Sequence, residues 1–323
     1  MANRRILITS PRLRPGDESV RLLEGAGFEP TFSTGQGHRT EEELIGLLRD
    51  ADAVIAANDL FTARVMDACP GLKIIARTGV GYDAVDVEAA TQRGIAVTIT
   101  PGVNRHSVAE FAMAFMLQCS RLMMQNLSVI GKGEWKHHEG RELAGSTVGI
   151  VGFGTIGKEV AQRARAFEMR VVAYDVLHDH VFAESIGVSF VSLEQLLKES
   201  DFVSLHLLLN EQTRKLINAE RLAMMKPTAY LINTARGPIV DEEALYQALK
   251  EKRIAGAALD VFEQEPLQAD SPLRTLDNLY MTPHVAGSTV NTRYGTAVVA
   301  AENVLQLFRG ERPSGIVNSP ALQ

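Results

Sequence analysis

The 323-residue chain has only two cysteines, Cys69 and Cys119, a single tryptophan and an aromatic content of 6%. Two thiols cannot form a disulfide framework. Both lie in apolar, helical-looking stretches and read as small buried hydrophobes in a reducing compartment. No Cys or His pair has the spacing of metal ligands, so no metal is expected. Positive charge is not in excess either. The 33 Lys and Arg against 39 Asp and Glu leave a formal net charge of −6, which gives no electrostatic reason to expect a nucleic acid or an anionic membrane as partner. Long apolar runs are missing: the longest, Phe111 to Leu117, is far short of a membrane span. Met1 to Ser10 reads as a first β-strand and not as a signal sequence, and no low-complexity segment or solenoid repeat interrupts the chain. A cytoplasmic protein without an appended regulatory domain is the expectation.

What is present is alternation. Short β-branched runs at Arg5–Thr9, Phe28–Phe32, Ala53–Ala56, Lys73–Arg77 and Ala96–Thr98 alternate with amphipathic patterns at Glu18–Ala26, Glu41–Leu48, Thr62–Ala68 and Val87–Arg93. A second series has strands at Thr147–Val151, Arg170–Tyr174, Phe202–His206, Ala229–Ile232, Ala255–Leu259 and Leu279–Thr282. Both predict parallel sheets covered by helices on two faces. Pro101-Gly102 separates the series, and the length itself suggests two domains. Thr289 to Phe308 is a long amphipathic stretch with no strand after it, suited to cross back over the first series. The expected division is therefore 1–101 plus 289–323 against 102–288. Ser107 to Met124 is rich in Met and Phe, which fits either a core helix or a subunit interface.

One motif stands between a strand and a helix. Gly152-Phe153-Gly154-Thr155-Ile156-Gly157 follows Thr147–Val151 and opens the helical pattern Lys158 to Phe167. In that setting Gly152 permits the tight turn, Gly154 leaves room for phosphates, and Gly157 lets helix and strand pack closely. The helix N-terminus then offers free N–H groups to a pyrophosphate. The next strand ends in Asp175, eighteen residues beyond Gly157. An acid there takes the ribose hydroxyls and repels a 2′-phosphate, which points to NAD and not NADP.

Four further stretches follow predicted strands. Gly79-Val80-Gly81, after Arg77-Thr78, can present successive backbone N–H groups to a carboxylate, or be a plain turn. Asn233-Thr234-Ala235-Arg236-Gly237 offers a guanidinium fork suited to a carboxylate and its neighbouring carbonyl, although such an arginine is often a solvated surface residue. The acids of Asp260-Val261-Phe262-Glu263-Gln264-Glu265-Pro266 can equally solvate a loop, and a histidine such as that in Thr282-Pro283-His284 is most often structural. Ligands of open α/β sheets bind outside the carboxyl ends of the strands, so Arg236, Glu265 and His284 are placed to share one site.

In order and spacing, these motifs resemble the D-isomer-specific 2-hydroxyacid dehydrogenase family over nearly the whole chain, with the D-3-phosphoglycerate dehydrogenases as the most similar branch. The resemblance implies two doubly wound parallel-sheet domains, a Rossmann NAD-binding domain and a flavodoxin-like substrate domain. It implies NAD as cofactor, a small 2-hydroxy or 2-keto acid as substrate, and a homodimer or higher homo-oligomer. By the same resemblance Arg236 holds the substrate, His284 is the acid/base and Glu265 its partner, while Gly79, Val80 and Gly81 bind the substrate carboxylate. Thr155 and Ile156 would face the pyrophosphate and Asp175 the ribose. Asp260 would face the nicotinamide amide, with Thr78, Leu207, Thr234, Ala235 and Gly287 nearby.

The chemistry fits those roles. Hydride addition to a 2-keto acid builds negative charge on oxygen, which a guanidinium stabilises and an imidazolium quenches with a proton. A carboxylate beside the imidazole favours its charged form and fixes the ring. Related formate dehydrogenases usually place Gln where Glu265 stands, and neutral Gln suits a substrate needing no proton exchange. This chain departs from the phosphoglycerate pattern after Ala53–Ala56, where Asn58-Asp59 replaces a typical Arg-Ser pair. An acid there disfavours a phosphorylated substrate unless Arg105 or another base reaches the phosphate, so 3-phosphoglycerate stays open as the substrate. The other class of function on this fold is an NADH-sensing corepressor, for which the chain lacks basic stretches and disordered tails.

Overall fold

The computed structural model describes residues 4–33 and 39–318. The chain folds into two compact units, Met1–Asn104 with Ser288–Gln323, and Arg105–Gly287.

The first unit is built on β1 (Arg4–Ile8), β2 (Phe28–Phe32), β3 (Ala53–Ala56), β4 (Ile74–Arg77) and β5 (Ala96–Thr98). All pairs are parallel, in the order β2-β1-β3-β4-β5, which is the flavodoxin-like arrangement with its switch point between β1 and β3. Side chains alternate between two covered faces. Leu7, Val54, Ala56, Ile75 and Val97 pack on one side, and Ile6, Ile8, Ala53, Ile55, Ile74 and Ala76 on the other. The second face is closed by the helix Val290–Phe308 through Ala297, Ala300, Ala301 and Val304. Small residues on that helix let it lie close to the sheet, and Thr289 caps its start by accepting from the Thr292 N–H.

The second unit has β6 (Thr147–Val151), β7 (Arg170–Tyr174), β8 (Ser189–Phe190), β9 (Phe202–Leu205), β10 (Tyr230–Asn233), β11 (Gly256–Leu259) and β12 (Leu279–Met281). Its order, β12-β11-β10-β9-β6-β7-β8, is again wholly parallel. This is the doubly wound dinucleotide-binding order extended by one strand, and the order reverses between β6 and β9. Both faces carry apolar cores, one containing Val148, Ile150 and Phe202, the other Val151, Val203 and Leu231.

Strand ends differ from the sequence reading by a residue in places, as at β1, and some local features differ further. β8 has only two residues, too short for an alternation to register. Asn233 belongs to the end of β10, shifted one residue from the expected range. The Met-rich stretch Ser107 to Met124 is not one helix. It breaks at Leu122, whose φ of 49° is left-handed, giving helices Arg105–Ser120 and Met123–Gly131. The Ser120 carbonyl freed by the break accepts from the Arg141 N–H at 2.8 Å. Its two readings thereby separate: Met113, Phe115 and Met116 are core, while Met123 and Met124 are exposed. Cys69 and Cys119 are both free and buried, and burial pushes the Cys119 thiol far up. Among the described residues no helix is long and apolar enough to cross a membrane.

Candidate active site

The glycine turn sits at the switch point of the seven-stranded sheet. Gly152 has φ +99°, and a Cβ there would stand 2.7 Å from the backbone carbon and oxygen of His206 on the neighbouring β9 segment. A Cβ at Gly157 would collide with the Gly152 carbonyl, so helix Thr155–Ala166 can approach the turn only without a side chain there. Gly154 is different. Its φ of −76° and ψ of −161° suit any residue, and a Cβ would meet no atom within 4 Å. Neither backbone conformation nor packing requires glycine at 154, whereas an open cradle for a phosphate pair does. Gly154 is the helix N-cap and provides no side-chain cap, which leaves the first-turn N–H groups of Thr155 and Ile156 suited to an anion. The residues present therefore fit a dinucleotide.

Asp175 follows β7 and points back to the turn. Its Oδ2 accepts from the Phe153 N–H at 2.6 Å and its Oδ1 from the Leu177 N–H at 3.0 Å. The carboxylate is thus fixed beside the cradle, with lone pairs remaining for ribose hydroxyls. Leu207 directly follows His206 and is half-buried, its backbone N 3.0 Å from where a Gly152 Cβ would be. His206 is half-buried with its Nδ1 shielded from water, and burial pushes its pKa down to about 3; Nε2 contacts the Ser204 hydroxyl at 2.9 Å and Nδ1 has no partner.

The candidate catalytic side chains come from three loops at the carboxyl ends of neighbouring strands β10, β11 and β12. After β10, Asn233 is buried and organises the turn: its Nδ2 donates to the Arg236 carbonyl at 2.9 Å and its Oδ1 accepts from the Ala235 N–H at 3.0 Å. The Arg236 guanidinium donates to the Ala235 carbonyl at 2.8 Å. The Thr234 hydroxyl is buried with no hydrogen-bond partner in the protein, a polar group left for a ligand.

After β12, His284 has φ +54°, a left-handed conformation that costs a non-glycine residue about 1–3 kcal/mol. Asp260, after β11, holds it there. The Asp260 carbonyl accepts from the His284 N–H at 2.8 Å, and its carboxylate accepts from Thr282 Oγ1, the Val285 N–H and the Ala286 N–H at 2.6, 2.8 and 2.7 Å. That loop-holding task was not legible in the sequence, where Asp260 reads as an acid after a strand and, by resemblance, as a neighbour of the nicotinamide amide. Gly287 follows directly on this loop.

His284 Nδ1 lies 2.7 Å from Glu265 Oε2, and Glu265 Oε1 accepts from the Phe262 N–H at 3.1 Å. Burial alone would raise the Glu265 carboxyl, but the bond and charge of His284, with Arg236 behind them, bring it below the ordinary range. An ionised Glu265 can only accept, so Nδ1 carries the hydrogen and Nε2 is the ring atom left to exchange a proton. Arg236, Glu265 and His284 are thus assembled in one unit, as are Gly152, Gly154, Thr155, Ile156, Gly157, Asp175, Leu207, Thr234, Ala235, Asp260 and Gly287.

Thr78, Gly79, Val80 and Gly81 belong to the other unit, at the carboxyl end of β4. The Thr78 hydroxyl is buried, 2.7 Å from Ser10 Oγ, and the Gly79 carbonyl accepts from the Thr100 N–H at 3.0 Å. Beyond the neighbouring β3, Asp59 is buried and engaged. Its carboxylate accepts from Thr9 Oγ1 at 2.5 Å and pairs with Arg39 Nη1 at 2.5 Å.

Residues 113–286 match the family model described as D-isomer specific 2-hydroxyacid dehydrogenase, NAD binding domain. A glyoxylate reductase of Korarchaeum cryptofilum is 44% identical over 303 residues, covering 92% of this chain and 91% of that protein. A D-3-phosphoglycerate dehydrogenase of Methanocaldococcus jannaschii is 42% identical over 98% of this chain, which spans only 60% of that protein's length. Among solved structures, a Thermus thermophilus protein superposes with a TM-score of 0.89 at 41% identity, covering 97% of this chain and 99% of that one. The chain belongs to the D-isomer specific 2-hydroxyacid dehydrogenase family, and its second unit carries the family's NAD binding domain.

Proposed function

We propose that the protein reduces a small, unphosphorylated 2-keto acid to the D-2-hydroxyacid, and runs the reverse oxidation, with Arg236, Glu265 and His284 as its reactive side chains. The observation that carries this reading is the 2.7 Å His284–Glu265 pair beside Arg236. Arg236 grips the substrate carboxylate and draws electron density from the reacting carbonyl oxygen. His284 Nε2 donates a proton to that oxygen as it becomes an alkoxide and recovers one in the oxidation direction. Glu265 keeps the imidazole in the tautomer and orientation this transfer needs. When bound, NAD supplies the hydride. Gly152, Gly154, Thr155, Ile156 and Gly157 would hold its pyrophosphate, Asp175 its ribose, and Thr234, Ala235, Asp260, Leu207 and Gly287 the nicotinamide end.

The first unit serves as the substrate domain in this reading, with the backbone of Gly79, Val80 and Gly81 receiving the carboxylate. The unphosphorylated preference rests on the carboxyl end of its sheet. Asp59 takes Arg39 as its partner there, so that cation is already neutralised and offers a phosphate little attraction. The K. cryptofilum relative's name, glyoxylate reductase, agrees with this preference. Self-association in the cytoplasm completes the proposal, supported by the exposed apolar side chains Met123, Met124, Leu127, Ile130 and Trp135.

Steady-state NADH oxidation with glyoxylate, hydroxypyruvate, pyruvate and 3-phosphohydroxypyruvate tests it. A kcat/KM for glyoxylate or hydroxypyruvate at least ~10-fold above that for the phosphorylated acid is expected. Preference for the phosphorylated acid would overturn the substrate assignment. Tight NADH binding without turnover of any acid would favour a sensor.

A further inference from the structure

Behind Glu265 stands a second acid to which no role has been given. Glu242 opens the helix Glu242–Lys250, which follows the Arg236 turn, and it faces the loop that carries Glu265. The two segments are joined reciprocally. The Glu263 N–H donates to Glu242 Oε1, and the Glu242 N–H donates to Glu263 Oε1 at 3.3 Å. Beside this latch the backbones touch: a Cβ on Gly237 would collide with the Phe262 carbonyl and the Glu263 nitrogen. The Phe262 N–H in turn donates to Glu265 at 3.1 Å, and Glu265 meets His284 at 2.7 Å. An unbroken run of contacts therefore links the segment after Arg236 to the imidazole.

We propose that Glu242 is a positioning residue for the reaction, fixing the Arg236 turn against the Glu265 loop and adding a second negative charge behind the His284–Glu265 pair. The proposal rests on the reading of His284 as the proton donor. The charges facing Glu242 are those of Glu263 and Glu265 on the opposite loop. Asp241 and Lys215 lie at the edge of the group, the lysine 3.2 Å from Asp241 and 3.9 Å from Glu263, and Arg236 adds the positive charge felt by Glu265. Burial, together with Glu263 and Glu265, raises the Glu242 carboxyl above its ordinary range. A carboxyl kept at such a cost to ionisation is poorly explained as a helix cap, a task that Asp241 already performs by accepting from the Ala244 N–H.

Two variants separate the hydrogen bond from the charge. Glu242→Gln keeps an acceptor for Glu263 and removes the charge, while Glu242→Ala removes both. Keto-acid reduction should fall off on the alkaline side as the proton on the His284–Glu265 pair is lost. With less negative charge nearby, Glu242→Gln should move that limb roughly half a pH unit toward acid, with melting temperature and NADH affinity as in the wild type. Glu242→Ala should lower kcat/KM about 10–100-fold through misalignment, a loss largely recovered by Gln at the pH optimum. Wild-type profiles and kcat/KM in both variants would overturn the proposal. His284→Gln, measured in the same series, guards the premise. If the alkaline limb disappears in that variant while both Glu242 variants follow the wild type, Glu242 alone has been misassigned. If the limb persists in His284→Gln, the proton-donor reading itself is wrong.

Discussion

Two glycines of the same turn should respond oppositely to a single methyl group. At Gly154 the backbone is extended and the space around a Cβ is empty to 4 Å, so Gly154→Ala introduces no clash and no strained φ. Any small loss from replacing glycine at an N-cap is offset by the lower unfolded-state entropy of alanine, and the melting temperature should stay within ~2 °C. The methyl would stand where the pyrophosphate has to approach, so the NADH dissociation constant should rise at least ~10-fold, about 1.4 kcal/mol. At Gly152 the costs fall on the fold. A left-handed alanine costs about 1–3 kcal/mol, and its Cβ would press the His206 backbone at 2.7 Å. A total near ~3 kcal/mol corresponds to about 6–12 °C in a domain of this size. Circular dichroism melts and NADH fluorescence titrations read both quantities. A Gly154→Ala protein that binds NADH as tightly as the wild type would refute the cradle assignment. One that melts far lower would show that the glycine serves packing instead.

His284→Ala should lower the rate roughly 10²–10⁴-fold with NADH affinity little changed; full activity in that variant would remove His284 from the mechanism. Asp175→Ala should weaken NAD binding and relax the exclusion of NADP, measured as the ratio of kcat/KM for the two reduced cofactors, and an unaltered ratio would contradict the ribose role. A pH dependence follows from His206, whose folded pKa of about 3 lies below its ordinary 6.5. The unfolded chain binds the proton that the folded one refuses, so stability is whole above pH ~6.5 and declines as the pH falls toward 3. Between pH 7.5 and 5 the loss should be about 2 kcal/mol, visible in urea midpoints. His206→Gln should flatten that slope, and an unchanged slope would mean the imidazole is not held neutral.

Much of the fold was legible because parallel strands buried on both faces leave an unmistakable rhythm. Val148, Ile150 and Val151 in β6 or Val54 and Ile55 in β3 are apolar runs too short for helices, bounded by polar turns. The glycine turn could be read because three separate steric demands fall on three fixed positions. The helix break at Leu122 could not, since the segment that takes up the freed Ser120 carbonyl, Gly140-Arg141, lies some twenty residues away in the chain. The supports of the site were hidden for a similar reason. Asp260, Asn233 and Glu242 are polar residues near strand ends or helix starts, and only the folded loops show that the Asp260 carbonyl, the Asn233 amide nitrogen and the Glu242 carboxylate hold the backbone of His284, Arg236 and Glu263. In sequence such residues look like ordinary turn formers.

In the proposed reaction hydride reaches the C2 carbon of a 2-keto acid and a proton its oxygen, on one face only. Incubating the enzyme with hydroxypyruvate and NADH deuterated at C4 on the transferable face, followed by chiral separation and mass analysis, tests it directly. D-Glycerate carrying one deuterium at C2 is the expected product. A racemic or L product, or D-glycerate without the label, would contradict it.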